Sequence, residues 1–251
     1  MNLSHVERYF SDFLSAMESE EEIELHQADE KDENDELPPK KIKLSENLMV
    51  IGTVNVDETT YMFSPKVLDR ANTLEFSTLG AEKYMSDSPE YKVKGDLDYL
   101  QNPLSDVGLA NEQNIRTENI YQLKNRLNGK KTGDNKDLWS ELSLNIGKFQ
   151  DILKKADFDF GFRTINEIIR FMCVAWKYEK QPPKWDNWER YFDAQIMQKM
   201  IPKLHGSQKE LSKVLEKLEQ ECTKGNFPSS TKKIKRMRKT LKDKRYVSFT
   251  G

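Results

Sequence analysis

The sequence predicts an α/β segment followed by an all-α segment. The run LMVIGTV at 48–54 is short, apolar and rich in β-branched residues, which is typical of a strand buried on both faces of a parallel sheet. From residue 137 onward, apolar residues recur at three- and four-residue spacing, the period of amphipathic helices. Between these segments, over 77–136, the pattern weakens among Gly, Pro, Asn and charged residues, so we expect a linker or insertion there.

Composition excludes several classes of protein. Of the 251 residues, 36% are hydrophobic and 33% are charged, and the net charge is -2, so a nucleic-acid argument has to rest on a local cluster of charge. Cys173 and Cys222 lie far apart without a CxxC motif, which argues against a disulfide scaffold or a zinc site and fits a reducing cytoplasm. The sequence contains no apolar run of membrane-spanning length, and we expect no metal ligand set in this chain.

The first 76 residues predict a helix, a loop, a strand, a short helix and a second strand. Ser4 and Glu7 have the spacing of a capping box. The apolar stripe expected to be buried behind it consists of Val6, Phe10, Phe13, Leu14 and Met17. The acidic run at 18–41 predicts a solvated loop or hairpin, the segment 56–71 a loop and a short helix with Pro65 in its first turn, and NTLEF at 72–76 a second strand.

The remainder predicts four helices, at about 137–155, 163–179, 187–204 and 207–222. Gly206 is expected to end the third helix, with Ser207 capping the fourth and His205 as a helix-end residue. The strongest apolar stripes are Ile165, Ile168, Ile169, Met172 and Val174 in the second helix, and Leu211, Val214, Leu215 and Leu218 in the fourth. We therefore divide the chain into an α/β part at 1–76, a linker at 77–136, a helical part at 137–225 and a basic segment at 226–251.

The stretch ENLMVIGTVNVDETTYMFSPKVLDRANTLEF at 46–76 resembles the second half of an AAA+ nucleotide-hydrolysing core, most closely the methylcytosine-specific restriction NTPases of McrB type. The resemblance implies that Asn55 is the sensor 1 residue that orients the attacking water. It implies that Arg70 is an arginine finger acting on the nucleotide of a neighbouring subunit. FDFGFRTINEIIRF at 158–171 resembles a segment of the family's helical lid, which places Arg163 at the sensor 2 position. The implied fold is a partial AAA+ P-loop NTPase core followed by a helical lid.

The resemblance lacks the first part of the family's nucleotide-binding core. In this family MNLSHVERYF would follow the Walker B acids directly, so Asn2 is expected beside that missing acidic pair and Met1 is expected to be an internal residue promoted to a start. The P-loop motif GxxxxGK[ST] is also absent from the sequence. The nearest string, NRLNGKKTG around Gly129, lacks the first glycine and follows no buried strand, so we interpret it as unrelated to phosphate binding.

The resemblance implies a ring-forming motor of a DNA restriction or defence system, with homo- or hetero-oligomeric subunits and a nuclease partner. Mg²⁺ and GTP or ATP would be bound in the complete assembly, and none would be held by this chain alone. We therefore expect the isolated monomer to be inactive as a GTPase or ATPase. Two alternatives stay open: a non-enzymatic helical interaction or DNA-binding protein, and one half of a split NTPase.

The C-terminal run KKIKRMRKTLKDKRYVSF at 232–249 is basic and amphipathic. Met237, Leu241, Tyr246, Val247 and Phe249 indicate that it packs against the helical part. Clustered cations also give sequence-independent affinity for DNA phosphates. The candidate DNA-contacting residues are Lys232, Lys233, Lys235, Arg236 and Arg238.

Overall fold

The computed structural model describes residues 5–27, 38–45, 48, 50–54, 63–76, 115 and 118–249. These residues divide between two compact units, one ending at Ala71 and the other spanning Asn72–Phe249.

The first unit begins with α1, Val6–Ser19. Its N-cap residue is His5, which makes no side-chain capping bond, and Ser4 of the predicted capping box lies outside the described residues. The predicted stripe is only partly buried, since Val6 is 3% exposed but Met17 is 39% exposed. The helix was therefore predicted correctly, whereas the depth of its burial was overestimated.

The acidic segment is closed by a short antiparallel pair, in which β1, Ile23–Glu24, faces β2, Lys41–Ile42. Ile23 is opposite Ile42, and the Leu25 amide extends the pairing by donating to the Lys40 carbonyl at 2.8 Å. This pair agrees with the predicted hairpin.

The two strands predicted around the short helix do not form in the described residues. Residues 48 and 50–54 have no regular structure, and Ile51, in the middle of the apolar run, is 89% exposed. In NTLEF, Leu74 is 64% and Phe76 is 89% exposed. A strand is buried only when neighbouring strands and covering helices surround it, and the described part of 1–76 supplies only the β1–β2 pair. The predicted partial AAA+ sheet is therefore not seen here.

The short helix between these segments does form. It is α2, Pro65–Arg70, with Pro65 in its first turn and Arg70 as its last residue. Proline is favoured there because the first amides of a helix have no intrahelical partner and the ring fixes φ at a helical value.

The second unit is a helical bundle, and its helices follow the predicted apolar periods closely. They are α3 Ile120–Leu127, α4 Leu138–Lys154, α5 Phe162–Tyr178, α6 Trp188–Gln195, α7 Gln208–Lys224 and α8 Pro228–Lys244. The predicted helix at 187–204 is interrupted: α6 continues as a π-helical turn, Ile196–Met200, and a 3₁₀ turn, Ile201–Lys203.

Two short strand pairs hold the ends of these helices together. β3, Lys131–Thr132, runs parallel to β4, Lys184–Trp185, and β5, His205–Ser207, runs antiparallel to β6, Tyr246–Ser248. Ser207 begins α7 as predicted, and its amide donates to the Glu210 carboxylate at 2.8 Å. Hydrogen bonds from the Ser207 hydroxyl and amide hold the pKa of Glu210 below its usual value.

Three aromatic rings mark the centre of the bundle. The ring centroids of Phe192 and Phe227 lie 5.3 Å apart, and that of Phe149 lies 6.2 Å from Phe192 and 6.1 Å from Phe227. All three side chains are almost fully buried, which stabilises each by about 1.5–3 kcal/mol relative to exposure. The core therefore joins α4, α6 and the turn between α7 and α8.

The bundle extends beyond both predicted boundaries of the helical part. Leu123 and Leu127 of α3 are fully buried in its core, although both fall in the predicted linker at 77–136. At the other end, Met237, Leu241, Val247 and Phe249 of the basic segment are buried in the same core, as expected from their spacing, while Tyr246 is 45% exposed. Among the helices described, none is long and apolar enough to cross a lipid bilayer.

Candidate functional site

Arg70 is the only residue of the predicted nucleotide site in the first unit that falls within the described ranges. Its Nε donates to Glu18 Oε2 of α1 at 2.7 Å, and its terminal Nη2 contacts the same oxygen. The Arg70 side chain is 25% exposed and that of Glu18 is 33% exposed. The guanidinium thus sits at the end of a helix, as the resemblance implies, and is held there by a carboxylate of its own chain.

Asn2 and Asn55 lie outside the described residues, so the sensor 1 position has no geometry here. Arg163 belongs to the second unit, where it is the second residue of α5 and is exposed to solvent. The N-cap of that helix is Gly161, which has no side chain with which to cap the first amides. Arg163 therefore projects from an exposed helix start.

The loop around Gly129 does not form a phosphate cradle. Gly129 has a φ of +72° in the turn after α3, and the Lys131 amide donates to the Pro183 carbonyl at 3.0 Å as part of the β3–β4 pair. The Lys130 ammonium lies 4.9 Å from the centroid of the Trp176 ring. These groups already have partners within the fold, which agrees with the interpretation that this string is unrelated to nucleotide binding.

Within the part of the chain that the structure describes, no three His, Cys, Asp or Glu side chains are grouped to hold a metal ion. The sequence also lacks the GxxxxGK[ST] motif, whose backbone amides would hold nucleotide phosphates.

The basic segment forms α8, and its candidate DNA-contacting residues divide into buried and exposed groups. Lys233 is 5% exposed, so its assignment to a DNA-contacting surface was wrong. Its Nζ donates at 2.6 Å to both Glu75 Oε2 and the Phe249 carbonyl, and lies 4.1 Å from the centre of the Phe249 ring. Burial lowers the pKa of Lys233, and the Glu75 carboxylate opposes that shift.

Two of the arginines are exposed but paired. Arg236 Nη1 donates to Glu75 Oε1 at 3.1 Å, so Glu75 contacts both Lys233 and Arg236 of α8. Arg238 pairs with Glu219 of α7. Exposed pairs of this kind contribute little to stability, but they orient the two guanidinium groups along the flanks of α8.

The exposed basic surface of α8 is a row of four lysines: Lys232, Lys235, Lys239 and Lys242. We call it the lysine row. Their spacing of three, four and three residues places them on one face of the helix, and all four are exposed. None of them forms an ion pair with another residue that the structure describes. Sequence reasoning missed Lys239 and Lys242, although the same spacing that predicted the buried stripe could have revealed them.

The opposite face of α8 anchors it in the bundle. Ile234, Met237 and Leu241 are at most 3% exposed there. The first turn is capped by Asp193 of α6, which accepts hydrogen bonds from the Ser229 and Ser230 amides at 2.8 and 2.9 Å. The lysine row is therefore presented on a helix fixed in orientation by its opposite face.

A second group of charges is buried, and sequence reasoning missed it entirely. Lys199 in the π-helical turn forms an ion pair with Glu167 of α5, and the Lys199 side chain is only 1% exposed. π-helical turns often occur at functional positions. The counterion of the Lys199 ammonium is Glu167 within the bundle, however, so we interpret this pair as structural.

His205 is also structural, but its position differs from the prediction. It lies in strand β5 rather than at a helix end, its Nδ1 is 2.9 Å from the Lys203 carbonyl, and its ring stacks edge-on against Phe158 at 5.6 Å.

The comparisons with known proteins concern mainly the helical unit. Residues 92–246, more than half of the chain, match a family described as a domain of unknown function, DUF8727. No curated protein and no solved structure matches the chain. The matched residues include all of α3–α8, the buried ion pair and the lysine row. The chain belongs to the DUF8727 family.

Proposed function

We propose that this chain is the C-terminal portion or a subunit of a McrB-like AAA+ nucleoside triphosphatase that acts on nucleotide held by another chain. The observation that carries the proposal is the run at 46–76 with its short helix α2. The helix begins at Pro65 and ends at Arg70, where the resemblance requires an arginine finger. Asn55 is proposed as sensor 1 and Arg163, exposed at the start of α5, as sensor 2.

The chemistry assigned to Arg70 is electrostatic. Charge develops on the transferred phosphoryl group, and a guanidinium placed beside it stabilises the transition state by several kcal/mol. Arg70 would have to exchange its contact with Glu18 for that phosphoryl group, because one carboxylate now takes its Nε and Nη2 hydrogens. Glu18 is then expected to hold Arg70 in place until a neighbouring subunit binds.

The binding of nucleotide and Mg²⁺ is assigned to a partner chain, because this sequence lacks the P-loop. The proposed assembly is a cytoplasmic homo- or hetero-oligomeric ring that uses GTP or ATP and acts with a nuclease on DNA. Arg70 and Asn55 would complete a site whose phosphate-binding half belongs to the neighbour.

Complementation in trans tests this proposal. A McrB-type ring protein whose own arginine finger is replaced by Ala is mixed with the full chain, and phosphate release from GTP and from ATP is measured. We expect the chain to co-assemble and restore turnover, and the Arg70→Ala variant to lose at least 10³-fold of the restored rate. Arg190→Ala, on an exposed arginine of α6, is the matched control and should behave as the unaltered chain.

Failure to co-assemble, or equal turnover with Arg70→Ala, would argue against the proposal. The isolated chain should hydrolyse neither nucleotide, and turnover by the chain alone that is sensitive to Asn55→Ala would contradict the assignment of the P-loop to a partner.

The second candidate function is a helical interaction protein without catalysis. The matched region, 92–246, covers the helical bundle and contains neither Asn55 nor Arg70, so an interaction role of the bundle would need neither residue. Nucleotide dependence separates the two candidates: an interaction protein should bind its partner equally well with and without GTP or ATP.

A further inference from the structure

We propose that the lysine row of α8, formed by Lys232, Lys235, Lys239 and Lys242, is a binding surface for the phosphate backbone of duplex DNA. The proposal does not depend on the nucleotide chemistry above, because it rests only on the second unit. Helix α8, Pro228–Lys244, contains eight Lys and Arg residues and a single acidic residue, Asp243. A chain with a net charge of -2 thus concentrates positive charge on one helix.

The geometry of the row matches a polyanion of high linear charge density. Lys232 and Lys242 are ten residues apart, which is about 15 Å along a helix axis. Duplex DNA carries one negative charge per about 1.7 Å of its axis, so several phosphates lie within reach of the row. No described carboxylate pairs with these four ammonium groups, and the neighbouring carboxylates of Glu75 and Glu219 are engaged by Lys233, Arg236 and Arg238.

The same face lacks the features that other partners require. An interfacial membrane helix needs an exposed apolar face, but the apolar residues Ile234, Met237 and Leu241 of α8 are buried in the bundle. Single-stranded nucleic acid is bound by stacking on aromatic side chains, and α8 contains none. A stable protein partner would need a buried aromatic or aliphatic anchor, which this exposed row of lysines does not supply. Duplex phosphate is the partner that the remaining chemistry fits.

The fold also favours binding without large rearrangement. The Asp193 cap and the buried stripe fix α8 against the bundle, so the four lysines share one orientation before binding. A fixed helix loses only lysine side-chain freedom on binding, which reduces the entropic cost of association. No base-reading group such as Asn or Gln occurs on α8, so we expect affinity without sequence preference.

The test is fluorescence anisotropy of the full chain with labelled duplex DNA of two unrelated sequences, without nucleotide, over a range of salt. Four phosphate contacts predict a slope of log K against log salt of about -3.6, and hence an affinity loss of about 150-fold between 50 and 200 mM salt. Both duplexes should bind equally. The double variant Lys235→Gln and Lys239→Gln should halve the slope to about -1.8 and weaken binding at 50 mM salt.

The matched control is Lys213→Gln with Lys217→Gln, which removes the same charge from two exposed lysines on α7. It should leave the slope and the affinity unchanged. Circular dichroism and urea unfolding should show both double variants folded, because all four positions are exposed and Gln is a good helix former.

Several outcomes would overturn the proposal. These are equal losses in the two double variants, no duplex binding at 50 mM salt, and tighter binding of single-stranded than duplex DNA. Binding of vesicles that contain phosphatidylserine without binding of duplex would assign the row to a membrane surface instead. None of these measurements includes GTP or ATP. A negative result for DNA binding is therefore distinguishable from a negative result in the complementation experiment.

Discussion

Asp193 caps α8 by accepting hydrogen bonds from both the amide and the hydroxyl of Ser230, 37 residues further along the chain. The same carboxylate accepts the Ser229 amide at 2.8 Å, and Asp193 is only 3% exposed. Amides in the first turn of a helix have no intrahelical acceptor, so a buried helix start needs an external one. This contact fixes the orientation of the helix that carries the lysine row.

Removal of the cap should destabilise the bundle strongly. Asp193→Ala removes three hydrogen bonds and leaves the buried Ser230 hydroxyl without this acceptor, so we expect the free energy of unfolding to fall by about 2–4 kcal/mol. Asp193→Asn keeps one oxygen acceptor and should cost about 1 kcal/mol. Urea unfolding followed by circular dichroism measures both, and equal stabilities of the two variants would show that the cap contributes little.

The buried ion pair between Lys199 and Glu167 should respond asymmetrically to substitution. Glu167→Gln leaves the Lys199 ammonium, 1% exposed, without its counterion, so we expect a loss of about 3–5 kcal/mol. Lys199→Met removes that buried charge and leaves the Glu167 carboxylate, which is 29% exposed, to hydrate, so its cost should be below about 1.5 kcal/mol.

The double variant makes the test sharper. Glu167→Gln combined with Lys199→Met should be more stable than Glu167→Gln alone, because the uncompensated buried ammonium is then absent. The measurement is the free energy of unfolding of all three variants. A Lys199→Met variant less stable than Glu167→Gln would reverse the assignment of which charge depends on the pair.

The helices of the bundle could be predicted from the sequence because each carries its own period. Leu211, Val214, Leu215 and Leu218 repeat at three- and four-residue spacing, and all four are buried in α7. The strand predicted at LMVIGTV was wrong for a related reason. A strand buried on both faces is a continuous apolar run without a period of its own, and its burial depends on distant neighbours. The sequence could not reveal the Asp193–Ser230 cap or the Lys199–Glu167 pair, because each joins elements about 30 or more residues apart.

In the candidate site, too, local features could be predicted from the sequence and tertiary contacts could not. Arg70 at the end of a short helix was predictable, because Pro65 marks the helix start, but its contact with Glu18 is tertiary. Lys233 was misassigned because its charge was weighed ahead of its position, four residues before Met237 on the buried stripe. Its buried ammonium is stabilised by the Phe249 carbonyl and by the carboxylate of Glu75, which lies 158 residues away in the sequence.

Substitution of Gly206 and of Gly147 by alanine should change the stability of the protein in opposite directions. Gly206 has a φ of +151°, and an added Cβ would lie 2.9 Å from the Glu210 carboxylate that caps α7. Gly206→Ala should therefore cost about 1–3 kcal/mol. Gly147 lies inside α4 with no heavy atom within 4 Å of an added Cβ, so Gly147→Ala should stabilise the protein by about 0.5–1 kcal/mol. Thermal unfolding of both variants checks the signs, and two shifts of the same sign would contradict the prediction.

The two cysteines should be unreactive in the folded protein. Cys173 is 1% exposed and Cys222 is fully buried, and burial raises the pKa of both thiols, that of Cys173 to about 12. The thiolate is the reactive form, so we expect no labelling by a disulfide reagent near pH 8 until the bundle unfolds. Labelling in guanidinium provides the control, and rapid labelling of the native chain would show that the thiols are accessible.

These thiols should also make the bundle less stable in alkali. An unfolded cysteine loses its proton near pH 8.5, whereas folded Cys173 keeps it until about pH 12. The folded state then binds more protons in that window, so the free energy of unfolding should decline as pH rises from about 8.5 towards 12. The double variant Cys173→Ala and Cys222→Ala, compared by urea unfolding at each pH, separates this effect from tyrosine and lysine titration. Its stability should be lower near pH 7 because of the lost packing, but its decline in alkali should be shallower. Parallel stability curves for the two proteins would contradict the proposed contribution of the thiols.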